Sequence, residues 1–259
     1  MLTGFHSVVV DVADFDAAVR DYALLLGCAP ADAARDPAHG MRSARFSLSN
    51  AQLELRGLGA GAERTAPSPG LPVRGEEGIA GLRFAFRPAP GSRFLPGWLA
   101  GPTVPIELVA EVAEPPAGSS GPSATVEGLD HVVVVSPDPE RTRRYFAEEL
   151  GIRLALDRSF AERGLRLIFF RLGGVTLEVA SALAATPVGS RRDTFQGLAW
   201  KVTRIEAIQT RLLDAGFDVS EIRMGHKTGT RVATVRGPVH GVPTLLIEHP
   251  PRDAGAREA

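Results

Sequence analysis

Residues 4–55 of this chain are repeated, without a gap, 124 positions later. Gly4, Val8, Val9, Val10, Asp14, Arg20, Leu26, Gly27, Phe46, Leu53 and Glu54 recur as Gly128, Val132, Val133, Val134, Asp138, Arg144, Leu150, Gly151, Phe170, Leu177 and Glu178. Ungapped identity at polar as well as apolar positions is not what shared helix and strand composition produces. Each copy reads as strand, helix, then strands, and each closes on an apolar strand with one carboxylate, QLEL or TLEV. A chain built from duplicated units restricts the fold before any other signal does. Function is then to be sought where the copies differ.

Composition removes several classes of function. Basic and acidic residues nearly cancel, 29 against 30, so the strong basic excess of a nucleic-acid surface is absent. Cys28 stands alone, which leaves no disulfide framework and no thiolate metal site; it reads as a small buried thiol. The opening MLTGFHSVVV has no basic leader, and no stretch approaches the roughly 20 apolar residues of a membrane span. A soluble cytoplasmic protein is expected.

Local signals place the elements. In the first unit a strand over Phe5–Val12 precedes Asp14, a suitable N-cap, and a helix with the apolar stripe Ala18, Tyr22, Leu25 and Leu26 that stops at Gly27. Strands follow near Met41–Leu48 and Ala51–Arg56. The third unit repeats this: a strand over Leu129–Val135, then Asp138-Pro139-Glu140 starting a helix with Thr142, Tyr145, Phe146 and Leu150 on its stripe. The fourth unit has a strand over Gly197–Val202, a helix bearing Ile205, Ile208, Leu212 and Ala215, and strands near Asp218–Arg223, Arg231–Arg236 and Thr244–Glu248. The second unit begins like the fourth at Gly81 and ends like it at Val104–Val109, but PAPGSRFLPG stands where the helix belongs; so much Pro and Gly predicts a lost helix. Residues 57–78 read as a long loop. The predicted organisation is an N-terminal domain over 1–113, a linker over 114–127, a second domain over 128–250 and a tail over 251–259.

Four βαβββ-like units in two pairs resemble the vicinal oxygen chelate superfamily of glyoxalase I, extradiol dioxygenases and bleomycin-resistance proteins. The motif that carries the resemblance is LDHVVVVSPDPERTRRYFAEELG, with His131 seven residues before Asp138, followed by VTLEV with Glu178. It implies an α+β fold in which tandem modules form two cupped mixed β-sheets with helices outside. It also implies a divalent metal, Zn, Ni, Mn or Fe, held inside a cup by residues of the first and last strands of each module. Carried over residue by residue, the first cup offers Ser7, Glu54, Gly81 and Glu107, and the second His131, Glu178, Gly197 and Leu245. Neither set is complete. Because strand side chains alternate faces, His6 is expected to point away from the cup that Ser7 faces.

His131 and Glu178 are therefore the expected catalytic and metal-binding pair, with His240 as third ligand; His226, or Glu107 from the other cup, are the alternatives. In the first cup, Glu54 and Glu107 would repel unless one is protonated or a cation sits between them; a structural role is expected there, with water or one of the nearby arginines at 42, 45, 56 and 83 satisfying the acids. The run Arg223-Met224-Gly225-His226-Lys227-Thr228-Gly229-Thr230-Arg231 suits an anion, which makes Arg223, His226, Lys227 and Arg231 expected substrate contacts. Trp200, Phe195 and Phe169 or Phe170 offer aromatic surface for a flat ligand or, equally, for the core. The resemblance implies a metal-dependent lyase or isomerase acting on a small carbonyl or hydroxy-acid substrate or its thioester. Its rival is a metal-free protein that sequesters a small anionic compound. No nucleic-acid or membrane partner is expected; modules of this superfamily pair within a chain or across a homodimer, and the sequence leaves that open.

Overall fold

The computed structural model describes residues 1–36, 40–58, 77–88, 95–111, 125–184 and 192–251. Its architecture is α+β, two mixed sheets with few helices. In the first, β1 (Leu2–Asp11) lies at the centre, parallel to β4 (Gln52–Leu58) and antiparallel to β5 (Gly78–Phe86). The sheet continues from β4 to β3 (Met41–Ser47) and β2 (Asp32–Asp36), and from β5 to β7 (Ile106–Ala110) and β6 (Gly97–Trp98). In the second, β8 (Val126–Val135) takes the place of β1, parallel to β11 (Val175–Ala182) and antiparallel to β12 (Thr194–Val202). Outward from β11 come β10 (Leu165–Leu172) and β9 (Arg153–Phe160). Outward from β12 come β16 (Thr244–Glu248) and β15 (Arg231–Gly237), which pairs with two short strands, β13 (Asp218–Val219) and β14 (Arg223–Met224). Consecutive modules thus pair within the chain, β1 with β5 and β8 with β12.

The helices form where the capping signals stand. In α1 (Phe15–Leu26), Asp14 accepts from the Ala17 amide at 3.0 Å, and Gly27 ends the helix in the left-handed region at φ 75°. In α2 (Pro139–Arg144), Asp138 accepts from the Arg141 amide at 3.0 Å. The helix expected to run on to Leu150 instead passes through one π turn, Tyr145–Glu149, closed by the Leu150 amide on the Tyr145 carbonyl at 2.9 Å. That extra residue keeps Tyr145, Phe146 and Leu150 all buried. In α3 (Ile205–Asp214), Ile205, Ile208 and Leu212 are buried and Ala215 becomes the cap. None of the helices among the described residues is long and apolar enough to cross a membrane.

Alternation divides each sheet into two faces. Val132, Val134, Leu177, Val179, Leu198, Trp200 and Leu246 pack with the helices in one hydrophobic core that also contains Val8, Val10, Leu53, Leu82 and Phe84 of the first sheet. On the helix-free face of the second sheet Ala199, Val232 and Ile247 form a small separate cluster with Leu245 beside it. The edge strands β2 and β9 have no counterpart in the hydrophobic pattern, because DAARD and RLALDRSF carry charge and β9 is exposed over most of its length. The long loop, the lost helix and the linker fall mainly on residues 59–76, 89–94 and 112–124, and the tail on 252–259, all outside the described residues.

The two halves meet through their repeat-equivalent turns. The Asn50 side chain accepts from the Leu129 amide at 2.9 Å and donates to the Leu129 carbonyl at 2.8 Å, completing the first turn of pairing on β8. Reciprocally, Gly173 packs on Gly4 and Phe5 so closely that a Cβ there would lie 2.6 Å from the Phe5 nitrogen. Asn50 also reaches the carbonyl of Gly174, its own repeat equivalent, at 3.5 Å. The copies are therefore related by an approximate twofold axis at this contact. Replacing Asn50 with Leu strands a partly buried amide and carbonyl of β8 and is expected to cost about 2 kcal/mol in urea unfolding.

Candidate functional site

One extra residue in β8 builds the site. His131 pairs with Ala199 and Leu129 with Trp200, so Asp130 has no partner and forms a β-bulge. The bulge breaks alternation: Leu129 and Val132 enter the core, whereas Asp130 and His131 both reach the helix-free face. There His131 Nδ1 lies 2.8 Å from Asp130 Oδ1, and His249 Nε2 lies 2.5 Å from Asp130 Oδ2. Burial acts to raise the Asp130 carboxyl, but hydrogen bonds from both histidines hold it down at about 2. An ionised carboxylate only accepts, so Nδ1 of His131 carries its proton and Nε2 is left facing the cup.

Glu178 stands on the neighbouring strand β11, paired with Val133 two register positions beyond His131, with Oε2 3.9 Å from His131 Nε2. Burial pushes its carboxyl above the ordinary range; the imidazoles of His131 and His226 act against that shift and Asp130 adds to it. Around this pair the face is apolar. Phe169 is paired with Glu178 and Leu156 with Phe169, while Ala199, Ile247 and Leu245 lie on the other side.

The expected residues separate into three groups. His131 and Glu178 come together, with Arg223 exposed on the same side, donating to Thr234 Oγ1 at 3.4 Å, and His226, close enough to act electrostatically on Glu178, exposed with Lys227 in the adjoining turn. Arg231 does not join them: it faces the helix side, where it pairs with Glu206 of α3 and Glu248. Trp200 does not either, being 1% exposed in the main core because its parity on β12 is that of Leu198 and Val202. His240 is held at the junction of the halves by Asp21 at 2.8 Å and Glu77 at 3.6 Å, which corrects its assignment as third ligand. Asp130 and His249 were missed. The bulge that aims Asp130 leaves no mark in the residue pattern, but His249 was legible as the next position after Leu245 and Ile247 on one face.

The matching face of the first sheet has been filled. A bulge at His6, between the pairs Phe5–Phe84 and Ser7–Arg83, repeats that at Asp130. It turns His6 onto the cup beside Ser7, with Nδ1 3.1 Å from Ser7 Oγ, contrary to the alternation expected from sequence. Burial, and next the charge of Arg83, lower the His6 imidazole from its ordinary value. Arg83 donates from Nε to Glu107 at 2.5 Å and from its other nitrogen to Glu54. At the two glycine positions of the ligand sets there is no room for a side chain. A Cβ on Gly197 would lie 2.4 Å from the Pro243 carbonyl oxygen, and one on Gly81 would lie 2.8 Å from the Trp98 ring.

Paired βαβββ modules with an acid–base pair on the helix-free face of one sheet define a two-cup α+β protein. The sequence profile of the glyoxalase/bleomycin resistance protein/dioxygenase superfamily matches residues 130–234. That match lies within the second half of the chain; the likeness of fold extends beyond it. A triple mutant of 4-hydroxymandelate synthase from Streptomyces coelicolor is similar over 100% of this chain and 95% of its own, at 18% identity and a TM-score of 0.68. Methylmalonyl-CoA epimerase from Mycobacterium tuberculosis aligns with 53% of this chain and 98% of its own, at 23% identity and a TM-score of 0.41. No curated protein matches the chain in sequence.

As a metal centre the second cup supplies two donors. Nε2 of His131 and the Glu178 carboxylate suit a divalent ion, and the Asp130 bond to Nδ1 is the support that metal-bound histidines receive. Among the described residues, no group of three or more His, Cys, Asp or Glu is arranged to hold a metal, so the fit is that of a half-site. Asp130 matters to it in either case. Its depressed carboxyl stabilises the fold fully above the unfolded value of 3.8 and loses that contribution as pH falls through about 2. Asp130→Asn is expected to cost about 2 kcal/mol near neutral pH, a difference that shrinks between about pH 4 and pH 2 in acid-dependent urea titrations.

Proposed function

We propose that the helix-free face of the second sheet is the active site of a small-molecule isomerase or lyase that transfers a proton at a carbon next to a carbonyl. The observation that carries this reading is the half-buried Glu178 carboxylate, raised by burial, 3.9 Å from the Nε2 of an Asp130-anchored His131. A carboxylate lifted toward the working pH is the better base, since it takes a proton more readily while still ionised enough to act. In this reading Glu178 removes the proton and His131, fixed in orientation by Asp130, exchanges a proton with the adjoining oxygen. Arg223, His226 and Lys227 on the exposed rim receive an acidic group of the substrate, and Phe169 with Leu156 covers its apolar part. A hydroxy acid, a keto acid or a thioester of one fits these groups. Were a divalent ion held by His131 Nε2, it would replace that proton exchange with Lewis-acid polarisation of the carbonyl, and Glu178 would remain the base.

A second reading, a protein that binds a small anion without transforming it, is favoured by the apolar residues Ala199 and Leu245 beside the pair. Solvent-deuterium exchange separates the two. Incubating the protein in D₂O with a panel of hydroxy and keto acids and their thioesters is expected to label the carbon next to the carbonyl of the substrate. Glu178→Gln should slow labelling by about 10²–10⁴-fold, and the wild-type rate should rise with pH through a value above the ordinary glutamate value of 4.5. Ligands that bind tightly, with no label incorporated and no effect of chelation, would sink the enzyme reading in favour of the binder.

A further inference from the structure

The two cups can be superimposed residue by residue through their registers. Ser7 pairs with Arg83 and Arg83 with Glu107, as His131 pairs with Ala199 and Ala199 with Leu245. Val9 lies between Glu54 and Gly81 as Val133 lies between Glu178 and Gly197. At the centre of one cup is a guanidinium, and at the same place in the other a methyl group. Glu54 and Glu107 converge on that guanidinium with side chains only 11% and 21% exposed. Two carboxylates so placed repel each other unless a cation lies between them.

We infer that the Arg83 guanidinium is a built-in cation, standing in the first cup where a diffusible one would bind. Tethered to β5, it needs no free ion, and its fork of donors meets the two acids from different nitrogens. The first cup is consequently closed to metals and cationic ligands, and the acid pair that the duplication left behind serves as an anchor between β4, β5 and β7. Without the Arg83 side chain, Glu54 and Glu107 would face each other across an empty centre with carboxylate oxygens alone. Two carboxylates so placed would attract a cation, a divalent ion or guanidinium itself.

The test uses the full chain in a His131→Ala background, so that the second cup is silent, with MnCl₂ and guanidinium chloride at a few millimolar as probes. With Arg83 present, neither probe should move Tm. Arg83→Ala should melt lower and recover by about 5 °C with either cation, and adding Glu54→Gln and Glu107→Gln should abolish that recovery. An Arg83→Ala chain of unchanged Tm that ignores both cations overturns the inference. A second measurement decides the matter even where Arg83→Ala does not fold: Mn²⁺ binding to the chain with Arg83 intact, followed by electron paramagnetic resonance. Binding no different in Glu54→Gln and Glu107→Gln supports the internal cation, whereas binding lost in either variant shows a free metal in the first cup.

Discussion

The antiparallel pairing of the first strands of consecutive modules, β8 with β12 and β1 with β5, sets the position of everything that bears on chemistry. Both pairs carry a bulge at the same place in the repeat. In a regular strand Asp130 and His131 would face opposite sides of the sheet, one of them toward the core. The unpaired residue removes that choice and delivers both to the helix-free face. Pairing then brings Ala199 beside His131, and the parallel neighbour β11 brings Glu178 within 3.9 Å. The same local distortion lets Asp130 hold two histidines at once, His131 on its own strand and His249 after the last one.

From one duplicated frame the two sheets have gone opposite ways, and the difference rests on a few side chains. Arg83 locks the first cup by satisfying two acids at modest exposure; breaking a pair of that kind costs about 3–5 kcal/mol, since it leaves charge buried and unpaired. In the second cup the equivalent residue is Ala199, and Glu178 makes no ion pair with an arginine among the described residues. A raised carboxyl beside a methyl group in one cup and an acid pair bridged by a guanidinium in the other thus follow from single-residue differences. The glycines at 81 and 197 are shared, but what excludes a side chain differs: the Pro243 carbonyl at Gly197 and chiefly the Trp98 ring at Gly81.

The halves are also joined by polar contacts that a linear reading does not suggest. Asn50 supplies a hydrogen-bonding edge to Leu129 immediately before the bulge, which ties the geometry of the second cup to a turn of the first sheet. Arg211 of α3 reaches the last carbonyls of α1, at Leu24 and Leu25, a favourable place for a cation at a helix C-terminus. His240 binds Asp21 and Glu77 at the same seam. Its imidazole therefore contributes to assembly of the halves and not to the site.

What the sequence determined by itself was the duplication, the module plan and the polar pair. Those are properties of local pattern: an ungapped repeat, caps at Asp14 and Asp138, stops at Gly27 and Gly151, and a carboxylate kept in the closing strand of each copy. It also showed that acids at 54 and 107 could share a cavity only if one were protonated or a cation lay between them, and that arginines were near. Only the tertiary structure decided which arginine answered, which residues share a face, and where the histidines go. A one-residue bulge inverts facing without changing composition, so His6 and Asp130 were unreadable. Parity at a strand's far edge sent Arg231 to the helices and Trp200 to the core. Contacts across more than 200 residues of chain, such as His240 with Asp21, depend on how two sheets pack, and no pattern within either sheet encodes that.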